Sequence, residues 1–206
     1  LEKMSHAKMI IVRHGQSVWN AENRFTGWVN VDLAPKGIAE AKEAGEKLKD
    51  YKFDKGFTSA LLRAQRTLKL LLEVTGQTDL DITENEALNE RMYGDLQGMN
   101  KDEGREKFGA EQIHIWRRSF DSPPPGGESL KGTADRVLPY YKAVIEPELK
   151  AGKTIIVAAH GNSLRALIMY LEKMTPEQIL QTEVPTGKPR LYEFDADLNV
   201  LSKDYI

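Results

Sequence analysis

The chain has 206 residues, 29 Lys plus Arg against 31 Asp plus Glu for a net charge of −2, 40% hydrophobic residues and no cysteine. At roughly 150 residues per domain, 1–206 is one domain carrying an insertion rather than two independent units. The balanced charge excludes a global basic field that would draw the protein to nucleic acid or to an anionic membrane. The missing cysteines exclude disulfides, thiolate metal sites and a cysteine nucleophile.

The N-terminus, Leu1-Glu2-Lys3-Met4-Ser5-His6, carries no apolar run of the secretory kind. Because position 1 is not Met, residues 1–3 read as an expression scar. No stretch approaches the ~18 apolar residues of a bilayer span, so a cytoplasmic protein without membrane partners is expected. Met9–Val12 is the first buried strand, and it runs straight into Arg13-His14-Gly15. Residues 36–49 place Ile38, Ala41, Gly45 and Leu48 on one helical face, and 60–74 do the same with Leu61, Leu68, Leu71 and Leu72. Residues from about 93 to 132 are polar, hold Trp116-Arg117-Arg118 and end in Pro123-Pro124-Pro125-Gly126-Gly127. They read as an insertion over the sheet edge. Thr133–Leu149 has helical spacing cut at Pro139 and Pro147. Ile155–Ala158 is a second buried strand, this one delivering His160-Gly161, and Ser163–Leu171 is the helix behind it. Leu191–Phe194 and Val200–Leu201 close the chain as two short strands around a turn at Asp197 and Asn199. Short apolar strands alternating with amphipathic helices predict an α/β three-layer sandwich, a mainly parallel sheet with helices on both faces.

The chemistry gathers at the two strand-end histidines, at the sheet edge where open α/β folds place ligands. Gly15 lets a ligand approach the backbone, and helix N-terminal amides beyond it favour an anion. A neutral imidazole can attack phosphorus and split one phosphoryl transfer into two steps, with no metal required. Arg13 and Arg63 would grip the phosphoryl oxygens bidentately, and a protonated His160 would stabilise the charge growing in the transition state. Blander readings stand beside these. A lone strand-end His is often a bonded core residue, Arg117-Arg118 a solvated helix face, and Glu90-Arg91 a weak surface pair. Ser163 lacks the G-x-S-x-G elbow of a serine nucleophile. His6 and His114 have no ligand spacing.

Val12-Arg13-His14-Gly15-Gln16-Ser17 and Trp19-Asn20, followed by Asn23-Arg24-Phe25-Thr26-Gly27-Trp28, resemble the signature of the histidine phosphatase superfamily. Leu88-Asn89-Glu90-Arg91-Met92-Tyr93-Gly94, Gln97-Gly98-Met99-Asn100-Lys101, Trp116-Arg117-Arg118 and Ala159-His160-Gly161-Asn162-Ser163-Leu164-Arg165 narrow the resemblance to cofactor-dependent phosphoglycerate mutases. That resemblance implies 2,3-bisphosphoglycerate as primer and exchanged intermediate, no metal, and phosphoglycerates as substrates. By position, His14 carries the phosphoryl group and Glu90 moves the hydroxyl proton. Arg13, Ser17, Asn20, Arg63, His160, Gly161 and Asn162 would surround the transferred group. Thr26, Gly27, Tyr93, Lys101, Arg117 and Arg118 would hold the rest of the substrate. A homodimer is expected. The sequence stops at Ile206, where many relatives continue into a mobile tail; if that tail is absent, hydrolysis of the phosphohistidine is expected to compete with transfer. The alternatives are a phosphatase of the same superfamily and an inactive binding relative. Arg190, usually an apolar position there, has no role in this reading.

Overall fold

The computed structural model describes residues 4–206; the expected scar at 1–3 lies outside them. In chain order the elements are β1 (Ala7–Arg13), α1 (Val18–Ala21), α2 (Pro35–Lys47), β2 (Lys55–Thr58), α3 (Leu62–Thr75), β3 (Ile82–Glu84), α4 (Lys101–Phe108), α5 (Ala110–Arg118), α6 (Leu130–Tyr140), a π-helical turn over Tyr141–Ile145, α7 (Glu146–Lys150), β4 (Thr154–Ala159), α8 (Gly161–Leu171), α9 (Pro176–Leu180), β5 (Arg190–Phe194) and β6 (Val200–Tyr205). The sheet order is β3-β2-β4-β1-β5-β6. The first four of these strands pair in parallel and the last two join antiparallel.

Side chains alternate along the central strands and so build two cores. Met9 and Ile11 of β1, with Ile155 and Val157 of β4, face α6 and α8. Ile10, Val12, Ile156 and Ala158 face Leu48 beyond α2 and Leu68, Leu71 and Leu72 of α3. Burying both faces explains why these two strands read as continuous apolar runs. Their register pairs Arg13 with Ala159. His14 and His160 therefore leave adjacent strand ends together.

Besides the added helix α9 and a last strand longer than expected, the structure departs from the expected elements in three places. Backbone helix continues from Leu130 to Lys150 instead of breaking at the prolines. Pro147 sits in the first turn of α7, and the widened π turn lies directly before it, where proline has no N–H to give. Neither β2 nor β3 was expected, because Gly56 interrupts the first and β3 is a three-residue edge strand with exposed Ile82 and Glu84. Within 93–132 lie α4 and α5, which close a small third cluster of Phe25, Leu96 and Ile113 with Trp116 against it.

Arg190 acquires a role. Glu172, at the end of α8, keeps a side chain only 3% exposed, and its Oε2 accepts from Arg190 Nη2 at 2.9 Å and Tyr192 Oη at 2.5 Å. Lys203 completes the carboxylate at 3.1 Å. A buried charge needs such partners, so Arg190→Leu should destabilise the fold by about 3 kcal/mol, read by chemical denaturation.

The turn after β1 packs backbone against backbone on α2. A Cβ on Gly37 would lie 2.1 Å from the Gln16 carbonyl oxygen, and one on Gly15 would lie 2.2 Å from that of Gly37. Gly37→Ala is therefore expected to push the His14 turn outward and to cost about 1–3 kcal/mol in thermal unfolding.

Candidate active site

His14 is 1% exposed at the end of β1, where its backbone N–H donates to the Ala159 carbonyl at 3.0 Å. Its Nδ1 lies 2.6 Å from the Gly15 carbonyl oxygen. A carbonyl can only accept, so in the neutral ring Nδ1 holds the hydrogen and Nε2 keeps the lone pair. Burial, then the charges of Arg63 and Arg13, hold this imidazole well below its ordinary pKa of 6.5. The result is an uncharged nitrogen nucleophile.

His160 stands edge-on to it with ring centroids 5.0 Å apart. It is fully buried, and its Nε2 meets Ser59 Oγ at 2.7 Å while Nδ1 has no partner among the described residues. Burial and the charges of Arg63, His14, Arg13 and Arg136 also drive its pKa well down. The sequence reading makes its role in the transition state conditional on protonation. Burial among guanidinium groups makes it neutral in the free protein, and a bound dianion would reverse the sign of that field.

Arg63 enters from α3 at 1% exposure and donates to the Val29 and Gly27 carbonyls at 3.0 and 2.7 Å. Burial lowers its pKa to about 10, opposed by Glu90 and assisted by Arg13, so it remains a cation at neutral pH. Arg13 donates through Nη1 to Val184 at 2.9 Å, leaving its buried Nε unpartnered. Neither Glu90 nor Arg91 is a surface residue, at 8% and 1% exposure. Glu90 Oε1 accepts from the amides of Arg91 at 2.8 Å and of Asn162 at 3.0 Å, the latter in the first turn of α8.

One cleft collects these groups. Arg13, His14, Asn20, Thr26, Gly27, Arg63, Glu90, Tyr93, Lys101, Arg117, Arg118, Gly161 and Asn162 all line it. Ser17 does not: its buried hydroxyl accepts from the Asn20 amide at 3.1 Å and caps α1, while Asn20 Oδ1 accepts from the Ser17 amide at 3.0 Å. The two bonds tie Ser17 and Asn20 together at the start of α1. His160 lies against His14 behind the lining. Lys101 is pushed down to about 8 by burial and by the charges of Arg117, Arg13, Arg118 and Arg105. Burial lowers Arg117 as well.

Arg24, Phe25, Arg165, Thr182, Glu183 and Val184 also line the cleft and were not anticipated as site residues. Arg165 lies three residues after Asn162, one helical turn, and donates to Asn162 Oδ1 at 3.1 Å; that spacing was its signal. Thr182–Val184 had none, since they arrive through pairing of Thr186 with Arg13. Seven cationic side chains thus face two carboxylates, Glu90 and Glu183. Such an excess suits a small ligand with more than one negative end. No group of three or more potential metal ligands is found among the described residues, and no helix there is long and apolar enough to cross a membrane.

Residues 9–203 match the histidine phosphatase superfamily (branch 1). A 2,3-bisphosphoglycerate-dependent phosphoglycerate mutase of a Bradyrhizobium species is 58% identical over 97% of this chain and 98% of its own length. The mutase of that name from Rhizobium meliloti is 55% identical over 96% and 95%, and that of Cytophaga hutchinsonii 57% over 96% and 92%. Among solved structures, Bacillus stearothermophilus YhfR superposes with a TM-score of 0.83 at 24% identity, covering 94% of each chain. Phosphoglycerate mutase from Bacillus anthracis does so at 0.78 and 21% identity, covering 97% and 92%, and both share the fold. The chain belongs to the histidine phosphatase superfamily and, within it, to the 2,3-bisphosphoglycerate-dependent phosphoglycerate mutase family.

Proposed function

We propose that the protein interconverts 3-phosphoglycerate and 2-phosphoglycerate through a phosphohistidine at His14. The observation that carries this is the pairing of an Nε2 nucleophile with two sets of cationic side chains, brought by different elements, in one cleft. Arg13 and Arg63 sit at His14, while Lys101, Arg117 and Arg118 arrive from α4 and α5. A phosphatase acting on a simple phosphate monoester needs only the first group. We read 93–132 as an insertion whose purpose is to bring the second.

The buried Arg13 Nε and Arg165 Nε are N–H donors without a partner among the described residues, so these residues fit a small bisphosphorylated acid. 2,3-Bisphosphoglycerate supplies the phosphoryl group that loads His14. Nε2 forms its bond to phosphorus as the P–O bond breaks, and Glu90 gives a proton to the departing oxygen. Arg13, Arg63, Asn162 and His160 hold the equatorial oxygens. In the return step a substrate hydroxyl attacks the phosphohistidine and Glu90 takes its proton. Family membership also supports a homodimer acting in the cytoplasm; light scattering over a dilution series decides the assembly.

The test is incubation with 3-phosphoglycerate and EDTA, with and without trace 2,3-bisphosphoglycerate, following 2-phosphoglycerate and free phosphate together. Isomerisation stimulated by the bisphosphate with little free phosphate is expected. Phosphate release without isomerisation would instead assign a phosphatase.

A further inference from the structure

Arg136 lies on α6, outside the lining of the cleft, yet three of its five hydrogen bonds converge on the segment that carries Glu90. Nη1 donates to the carbonyls of Ala87 at 2.8 Å and Asn89 at 3.0 Å, and Nη2 donates to that of Glu90 at 2.7 Å. Nε and Nη2 also grip Glu128 Oε2 and Oε1 at 2.9 and 2.8 Å. Glu128 in turn holds the far side of the same segment, its Oε1 accepting from the Met92 amide at 2.9 Å. Trp28, beneath the Arg136 guanidinium at 5.4 Å, donates its indole N–H to the Glu90 carbonyl at 2.6 Å.

Beyond the short turn at Glu86–Leu88 this segment has no regular structure of its own up to Gly94, so its carbonyls need outside donors. A guanidinium offers five N–H groups in one rigid plane and can satisfy three carbonyls and a carboxylate at once; an ammonium cannot. We infer that Arg136, held by Glu128, is a positioning residue for proton transfer, fixing the backbone from which the Glu90 carboxyl reaches the cleft. This rests on reading Glu90 as the proton carrier. The carboxyl is tied at Oε1 to the Asn162 amide, so movement of its backbone pulls it away from α8 and from the reacting oxygen.

The experiment compares wild type, Arg136→Ala, Arg136→Lys and Glu90→Gln in steady-state phosphoglycerate isomerisation. Arg136→Ala should lower kcat by about tenfold to a hundredfold, the cost of a misplaced group, with KM changed less than about twofold. Guanidinium chloride should restore part of that rate, and ammonium chloride at equal ionic strength should not. Arg136→Lys should stay slow although its charge is kept. If Arg136→Ala does not fold by circular dichroism, Arg136→Lys carries the test. Wild-type kcat in either variant, a loss confined to KM, or equal rescue by ammonium overturns the proposal. Wild-type kcat in Glu90→Gln would bring down the proton-carrier reading instead. Where the wild type releases phosphate without isomerising, the same comparison is made on phosphate release. There a slowed Glu90→Gln beside an unaffected Arg136→Lys still refutes the positioning role.

Discussion

Replacing His14 with glutamine is expected to reduce isomerisation by at least about 10⁴-fold and to remove the phosphoenzyme entirely. Glutamine preserves volume and a hydrogen bond to Gly15 but has no lone pair of imidazole basicity. No other imidazole lines the cleft. There is no cysteine, Ser17 is spent capping α1, and Ser163 Oγ is occupied by the backbone of His160. His160 itself has Nε2 engaged by Ser59. The check is retention of a radiolabelled phosphoryl group on alkali-quenched protein, with turnover measured on the same sample. Full turnover by His14→Gln would remove the covalent mechanism.

Acid should destabilise the ligand-free protein earlier and more steeply than ion-pair loss alone would produce. His14 and His160 both have folded pKa values well below the 6.5 of an unfolded imidazole. Below about pH 6.5 the unfolded chain therefore binds two protons that the folded chain does not, and stability falls as pH falls. Two protons correspond to a slope of about 2.7 kcal/mol per pH unit, with no contribution from this pair above that window. Glu128 and Glu172, lowered from 4.5 because bonds to Arg136, Tyr192 and Lys203 outweigh burial, act in the same direction only below about that value. A tetrahedral oxyanion such as vanadate would favour both imidazolium forms and flatten the upper slope. Denaturant unfolding at several pH values, with and without vanadate, measures this. A pH-independent stability between 5 and 6.5 would show that the histidines are protonated in the fold.

How much of this was legible in the sequence depended on where each signal lay. β1 and β4 were plain because burial on both faces turns them into apolar runs, and the histidines ending them fell at one sheet edge. The layers could be anticipated from the facing of α2, α3 and α8. β2 was hidden by Gly56, and α4 and α5 by a composition more polar than a covering helix has. The prolines misled because Pro139 is carried inside α6 and Pro147 stands in the first turn of α7, directly after the π turn. Most of the cleft was legible from motifs, including Lys101 and the paired arginines. Ser17, read as a ligand-binding residue, lies outside the cleft lining, and its hydroxyl accepts from the Asn20 amide at the start of α1. Arg136 escaped notice because a guanidinium binding carbonyls leaves no pattern in the residues it binds.

The pairing of β1 with β4 joins Lys8 to Thr154 and Arg13 to Ala159, across most of the chain. During synthesis the first strand must wait, its apolar faces uncovered, until residues near 160 have left the ribosome. Loop closure on that scale makes the central pairing a late and slow event, whereas the packing of α2 on α3 can form early from local contacts. Phosphate affinity should therefore appear abruptly near the end of folding, and no N-terminal fragment ending before β4 can possess it. Binding of an oxyanion is then a readout of complete chain topology rather than of local structure.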